Sequence, residues 1–283
     1  MAKYYCFISG LPDITIDESK LTLTLFDFIE QCREVVSPTD FELIKLFLYQ
    51  YDNVNLLKLL RGEGETLGYQ GNLSEEELKE IITLFKEEDN PTADNIPEYF
   101  REFIPSWLEE TKVNPDLSWD DNLTSAYYNF AVKNTNRVIR NWFEFNLNTL
   151  NLLTAINCKK FDLDINQAVI SENEVAELLR ASHAKDFGLP PVFPYTDDVI
   201  KISEISSLEE KEKKLDVLRW DWLDDNEFFY YFDIENIFTY LIKLSILQRW
   251  VDMDGEKGRE NIDTFIKDLK ESVVLSDEFT TKK

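Results

Sequence analysis

The chain has 283 residues, 43% of them hydrophobic, with 20 Phe, 12 Tyr and 6 Trp, enough apolar material for one large domain or two. Only 8 Gly and 9 Pro argue against a turn-rich β-sandwich and for a helical protein. A net charge of −25, from 30 basic and 55 acidic residues, excludes nucleic-acid binding, which needs cations against phosphate, and suits a basic protein partner or a highly solvated surface.

Residues 3–11 read as a short extended segment closed by Pro12. From there helical signals dominate. Ser37-Pro38 opens a segment in which Phe41, Ile44, Phe47 and Leu48 keep helical spacing to Gln50, and a second helix follows at once to Arg61-Gly62. Ser74-Glu75-Glu76-Glu77 is a capping box predicting a helix over 75–88. Pro91 and Pro97 mark a loop before a short helix near 97–110, and Asn114-Pro115-Asp116 is a further break. An apolar stripe from Leu123 to Trp142 predicts a long helix over about 120–143. The next helix runs to Lys159-Lys160, cations well placed at a C-terminus. Ser171-Glu172-Asn173-Glu174 and Ser207-Leu208-Glu209-Glu210 read as capping boxes on either side of the irregular Gly188–Pro194 segment. A last helix runs from Asp233 towards Trp250, leaves at Asp254-Gly255, and precedes a frayed tail at 276–283. About a dozen helices without βαβ alternation make an all-α chain.

Three segments share one pattern: an Asp or Asn, two variable residues, then Asn and two bulky apolar residues. They are Asp52-Asn53-Val54-Asn55-Leu56-Leu57, Asn148-Thr149-Leu150-Asn151-Leu152-Leu153 and Asp233-Ile234-Glu235-Asn236-Ile237-Phe238. Their reuse points to a scaffold with internal quasi-symmetry. Placing Asp52, Asn148 and Asp233 at helix N-caps would put the recurring Asn at N3. Tyr51, Leu147 and Phe232 would then staple onto Leu56, Leu152 and Ile237.

Chemistry is sparse. The one histidine, His183, beside Lys185 and Asp186, reads as a surface or helix-end residue, and no Gly-x-Ser-x-Gly elbow accompanies it. Arg61-Gly62-Glu63-Gly64-Glu65 carries carboxylates where a phosphate cradle needs none. Asp252-Met253-Asp254-Gly255 lacks the later ligands of a calcium loop and reads as a turn. Cys6, Cys32 and Cys158 are odd in number and far apart, which suggests neither a disulfide framework nor a zinc site. Met1-Ala2-Lys3-Tyr4-Tyr5 does not open a secretory leader, and no run is long enough to span a bilayer. A soluble cytosolic protein without cofactor, metal or small-molecule ligand is the expectation.

Tyr51-Asp52-Asn53-Val54-Asn55-Leu56-Leu57-Lys58-Leu59-Leu60-Arg61 resembles the Asp-x-x-Asn-Leu-Lys-x-x-Leu-Arg signature of the central-stalk subunit of A/V-type ATPases, the C component in bacteria and d in eukaryotes. Asn151–Ile156 with Lys159-Lys160 looks like its second occurrence, and Phe238–Leu244 resembles its late Tyr-Leu-x-x-Lys segment. Tyr4-Tyr5, Phe41, Trp142–Phe145 and Trp220–Leu223 resemble more closely, over nearly the whole chain, a bacterial family of unassigned function encoded among V-type ATPase subunits. The chain departs from the central-stalk pattern at Asn157-Cys158, where an Arg is usual, and at Ser245–Trp250.

The resemblance implies three similar helical bundles in one elongated or funnel-shaped chain, divided near 1–113, 114–195 and 196–283. It implies a non-catalytic coupling subunit on the cytoplasmic face of the membrane, binding the rotor shaft and the proteolipid ring through protein contacts without inserting. Asp52, Asn55, Asn151, Asp233 and Asn236 are expected as caps and helix–helix contacts, and Arg61, Lys159 and Lys160 as partner-facing cations. The competing expectations are a free acidic adaptor for a basic protein and, more remotely, a carboxylate-dependent enzyme.

Overall fold

The computed structural model describes residues 3–18, 20–63, 71–88, 91–93, 95–182, 184–227, 230 and 232–254. His183, Gly64-Glu65, Gly255 and the tail at 276–283 lie outside the described residues. Among those described, eleven α-helices and one 3-10 turn account for all regular structure, an all-α fold. The helices are α1 (Tyr5–Ile8), α2 (Leu25–Val35), α3 (Pro38–Arg61), α4 (Glu75–Glu87), α5 (Phe100–Leu108), α6 (Trp119–Ala131), α7 (Arg137–Phe161), α8 (Glu174–Ala181), α9 (Thr196–Ser203), α10 (Leu208–Glu227) and α11 (Ile234–Asp254). The chain divides into one unit of Met1–Val36 with Tyr230–Lys283 and a second of Ser37–Phe229.

In the first unit α11 packs on α2. Phe28, Ile29 and Cys32 of α2 are buried, as are Ile237, Phe238, Leu241 and Leu244 of α11. The Phe28 and Tyr240 rings lie 4.9 Å apart, and Tyr240 Oη donates to Pro12 O at 3.0 Å. The expected extended N-terminus is instead a single helical turn, in which Ile8 N donates to Tyr4 O at 3.0 Å while Tyr4 N donates to Phe232 O at 2.9 Å. A short apolar run without alternation is ambiguous between strand and helix, and no strand among the described residues is there to pair it.

The second unit is two successive sets of four helices joined where α6 packs on α7. Each set opens with its longest helix, 24 residues in α3 and 25 in α7. The two helices expected before Arg61 are one: Ser37 accepts from Asp40 N, Pro38 sits in the first turn, nothing breaks the run, and Gly62 (φ 69°) closes it. The opposite happens at 120–143, where Val132–Asn136 interrupts the stripe and Asn136 caps α7 by accepting from Val138 N and Ile139 N. Apolar periodicity alone does not register such a break, because both helices bury the same kind of stripe. Ser74 and Glu77 form the expected reciprocal capping box on α4. The expected cap at Ser171 falls two residues later, on Asn173, while Ser171 is left-handed (φ 63°). The turn expected at 252–254 is the last part of α11.

Aromatic residues fill both sets. Tyr49, Tyr99, Tyr127 and Phe130 meet between α3 and α6, with Tyr99 5.4 Å from Phe130 and 6.0 Å from Tyr127. Trp142, Phe145 and Trp222 meet between α7 and α10, with Phe145 stacked 5.4 Å from Trp222. Aromatic rings bury large areas, and pairs at these separations pack favourably edge-on or offset.

Candidate functional site

The recurring motif places its polar residues inside the long helices, correcting the expectation of N-caps for the first two copies. Asp52 and Asn55 lie well within α3, and Asn148 and Asn151 well within α7. Their backbone groups are satisfied by the helix, so no side chain is needed for capping. The staples expected for Tyr51–Leu56 and Leu147–Leu152 are lost with the caps, since each pair lies within one helix. The third copy does start a helix: Asp233 immediately precedes α11, and Asn236 Oδ1 accepts from Asp233 N at 3.2 Å, the back-reaching half of a capping box. Asn236 Nδ2 also donates to Tyr230 O at 3.2 Å.

Within α3 and α7 the motif does one job twice: it ties the long helix to the segment that leads into the next helix. Asp52 is fully buried, and its carboxylate accepts from Leu73 N at Oδ1 and from both Asn72 N and Asn72 Nδ2 at Oδ2, each at 3.0 Å. Ser74, the cap of α4, comes next. Asn72 Nδ2 also donates to Lys45 O at 3.0 Å, so the segment is held at two levels of α3. In α7, Asn151 accepts from Ile170 N at 3.0 Å and donates to Ile170 O at 2.9 Å. One turn earlier, Asn148 Oδ1 accepts from Asn173 Nδ2 at 2.9 Å, and Asn173 itself caps α8.

The difference between acid and amide follows from what each loop presents. Among the described residues the hydrogen-bond partners of Asp52 are three N–H groups, which a carboxylate can accept and an amide cannot fully. At Ile170 there is one donor and one acceptor, which an asparagine side chain matches and a carboxylate does not. Gly71 is part of the first latch: a Cβ there would fall 2.6 Å from Asp52 Cγ, closer than real contacts allow.

Burial raises the Asp52 carboxyl to about 6, against the lowering effect of the Asn72 and Leu73 hydrogen bonds, with a smaller raising contribution from Glu77. Tyr99 and Tyr127 are raised well above their usual range, first by burial and then by neighbours that include Asp52. Tyr99 Oη donates to Asn53 Oδ1 at 2.6 Å and Tyr127 Oη to Leu46 O at 2.9 Å, so both phenols act as neutral donors bracing α3. Burial lifts the Cys32 thiol to about 12 and raises Cys158 as well, which keeps both as unreactive thiols.

The three expected cations have mixed positions. Arg61 Nη2 pairs with Asp120 Oδ2 at the start of α6. Lys159 Nζ donates to Ala184 O at 2.8 Å and lies 3.5 Å from the centre of the Phe187 ring, so it anchors the loop after α8. Lys160 is exposed beside Phe161, itself 63% exposed. Because the Arg61–Asp120 pair is solvent-facing, Arg61→Ala should change unfolding free energy by less than about 1 kcal/mol, read by urea titration. A loss several times larger would show that the pair is a structural tie.

Gly71, Asn72, Ile170 and Asn173 escape motif reasoning because they are the far ends of the latches. The signal for them in the chain is their place: each lies just ahead of a capped helix, some 20 residues after its motif.

Among the described residues no group of three or more His, Cys, Asp or Glu side chains is arranged to hold a metal ion. No described helix is long and apolar enough to cross a membrane. Residues 1–273 match the model of a family described as a protein of unknown function, DUF2764, and the chain belongs to that family. No curated protein matches the chain. Nor does any solved structure.

Proposed function

We propose that this chain is a non-catalytic coupling subunit of a V-type ATP synthase or ATPase, standing in the central stalk between the rotor shaft and the proteolipid ring. The observation that carries the reading is the mechanical use of the motif on which the resemblance to the central-stalk family rests. In α3 and in α7 it clamps a long helix to the entry of the next one, through buried polar contacts that resist sliding. A torque-transmitting spacer needs stiffness of this kind and no reactive pocket. The −25 charge supports the same reading, because cytoplasmic ends of membrane segments are enriched in Lys and Arg. On this reading the protein is peripheral on the cytoplasmic face, held by protein contacts, and needs no cofactor.

The test is affinity purification of the tagged full chain from detergent-solubilised native membranes, at low and high salt. Shaft and proteolipid subunits are expected to come with it. An intact, active ATPase recovered from cells lacking this chain would overturn the proposal. Recovery of a basic protein without any ATPase subunit would identify the chain as a free adaptor instead.

A further inference from the structure

Two half-exposed tryptophans stand together where α5 gives way to α6. Trp107 and Trp119 have ring centroids 4.8 Å apart at 54°, and Trp119 rests edge-on against buried Phe103 at 6.0 Å. With Leu108, Glu110, Lys112 and Pro115 they line an open groove of 660 Å³. Val113, on the same connection, is 58% exposed. None of these residues takes part in the latches.

The loop that frames the groove is held in place. Lys112 Nζ donates to Leu117 O at 2.8 Å and lies 5.8 Å from the Trp119 ring centre, so its charge is engaged in the wall. α5 ends in a Schellman motif: Glu110 N donates to Trp107 O at 3.1 Å and Thr111 N to Ser106 O at 2.9 Å. That motif puts Glu110 in the left-handed region (φ 55°), where glycine is the favoured residue and any side chain is strained. At the end of α3 the same hydrogen-bond pattern uses Gly62. At the groove, a carboxylate stands in the glycine position, and Glu109 and Asp116 add two more exposed acids on the loop.

We propose that this groove binds an extended, proline-containing segment of a partner protein that carries arginine or lysine. Paired indoles beside a proline offer the flat apolar steps on which a polyproline II ridge docks at little entropic cost. The acidic rim selects a cation flanking that ridge and repels phosphate-bearing ligands. Tryptophan is also the residue type that most often dominates binding energy when it lies at the centre of a contact. The inference does not depend on the assembly proposed above, since any partner with such a segment would qualify.

The full chain is titrated with two blocked peptides, Pro-Leu-Pro-Pro-Arg-Arg and Pro-Leu-Pro-Pro-Glu-Glu, while the Trp107 and Trp119 indole N–H signals are followed by NMR. The arginine peptide is expected to shift both signals and the glutamate peptide neither. Glu110→Gly relieves the backbone strain, so its melting temperature should hold or rise while affinity for the arginine peptide falls about threefold. Glu110→Lys should weaken binding further, by about tenfold, and Trp107→Ala should abolish it. Equal response to both peptides, no response of either indole at millimolar arginine peptide, or unchanged affinity in Glu110→Gly would each overturn the proposal.

Discussion

Asp52→Ala is expected to lower the unfolding free energy by about 3–5 kcal/mol. The substitution strands three N–H donors at once, two of them backbone, around a carboxylate that is itself fully buried. Hydrogen exchange should quicken first at Asn72 and Leu73 and then along α4, because the latch holds the entry of that helix. An unfolding free energy from urea titration within about 1 kcal/mol of the parent would show that the loop has other support. Gly71→Ala should mimic part of the loss, by driving a Cβ into the same carboxylate.

The same carboxyl gives the stability a pH signature. Its folded value near 6 lies above the ordinary value of 3.8, so the native state holds the proton more tightly than the unfolded chain does. This contribution is fully present below pH 3.8 and fades as pH rises to about 6, above which it is constant. The span corresponds to something on the order of 3 kcal/mol. The chain carries 55 acidic residues, so the quantity to measure is the difference between the parent and Asp52→Asn from mildly acidic to neutral pH. Asparagine cannot accept all three donors, so the variant is weaker throughout, and its deficit should shrink towards high pH as the parent loses the protonated-state advantage. A pH-independent deficit would mean that Asp52 does not titrate in this range.

Asn151→Leu should cost about 2–4 kcal/mol, since it leaves both the N–H and the C=O of buried Ile170 unpaired beside an apolar group. Asn151→Asp separates geometry from charge. An ionised carboxylate accepts from Ile170 N but meets Ile170 O with no proton to offer, so this variant should regain stability as pH falls and the carboxyl protonates. That is the same direction as the Asp52 contribution, built into the second latch by one substitution. Asn148→Ala, which loses a single bond to Asn173, should cost only about 1 kcal/mol. Equal losses at Asn148 and Asn151 would argue against a latch centred on Ile170.

Local chemistry is legible in the chain wherever it is self-contained. The Ser74–Glu77 box, Pro38 after Ser37 and Gly62 after Arg61 each satisfy orphan backbone groups within four residues, so their meaning does not depend on the rest of the chain. The recurring Asp/Asn-x-x-Asn pattern is legible as a repeat, but its first two copies are latches and not the caps they resemble. Such polar residues look identical at a helix start and in a helix interior, and only the uninterrupted run from Pro38 distinguishes them. Arg61, Lys159 and Lys160 are recognisable as cations near helix ends. That Lys159 lies against Phe187 and Ala184 depends on where the loop after α8 returns.

Composition, charge and periodicity by themselves determined an all-helical, strongly acidic chain with its helix starts largely marked, because those properties are set by each residue and its near neighbours. Only the tertiary structure decided what the buried polar residues hold. A carboxylate at 52 and an amide at 151 acquire their roles from backbone groups about 20 residues away, N–H groups alone at Asn72 and Leu73, and an N–H with a C=O at Ile170. A buried donor or acceptor has to be matched by whatever the fold brings against it, and that complement is a property of the packed chain.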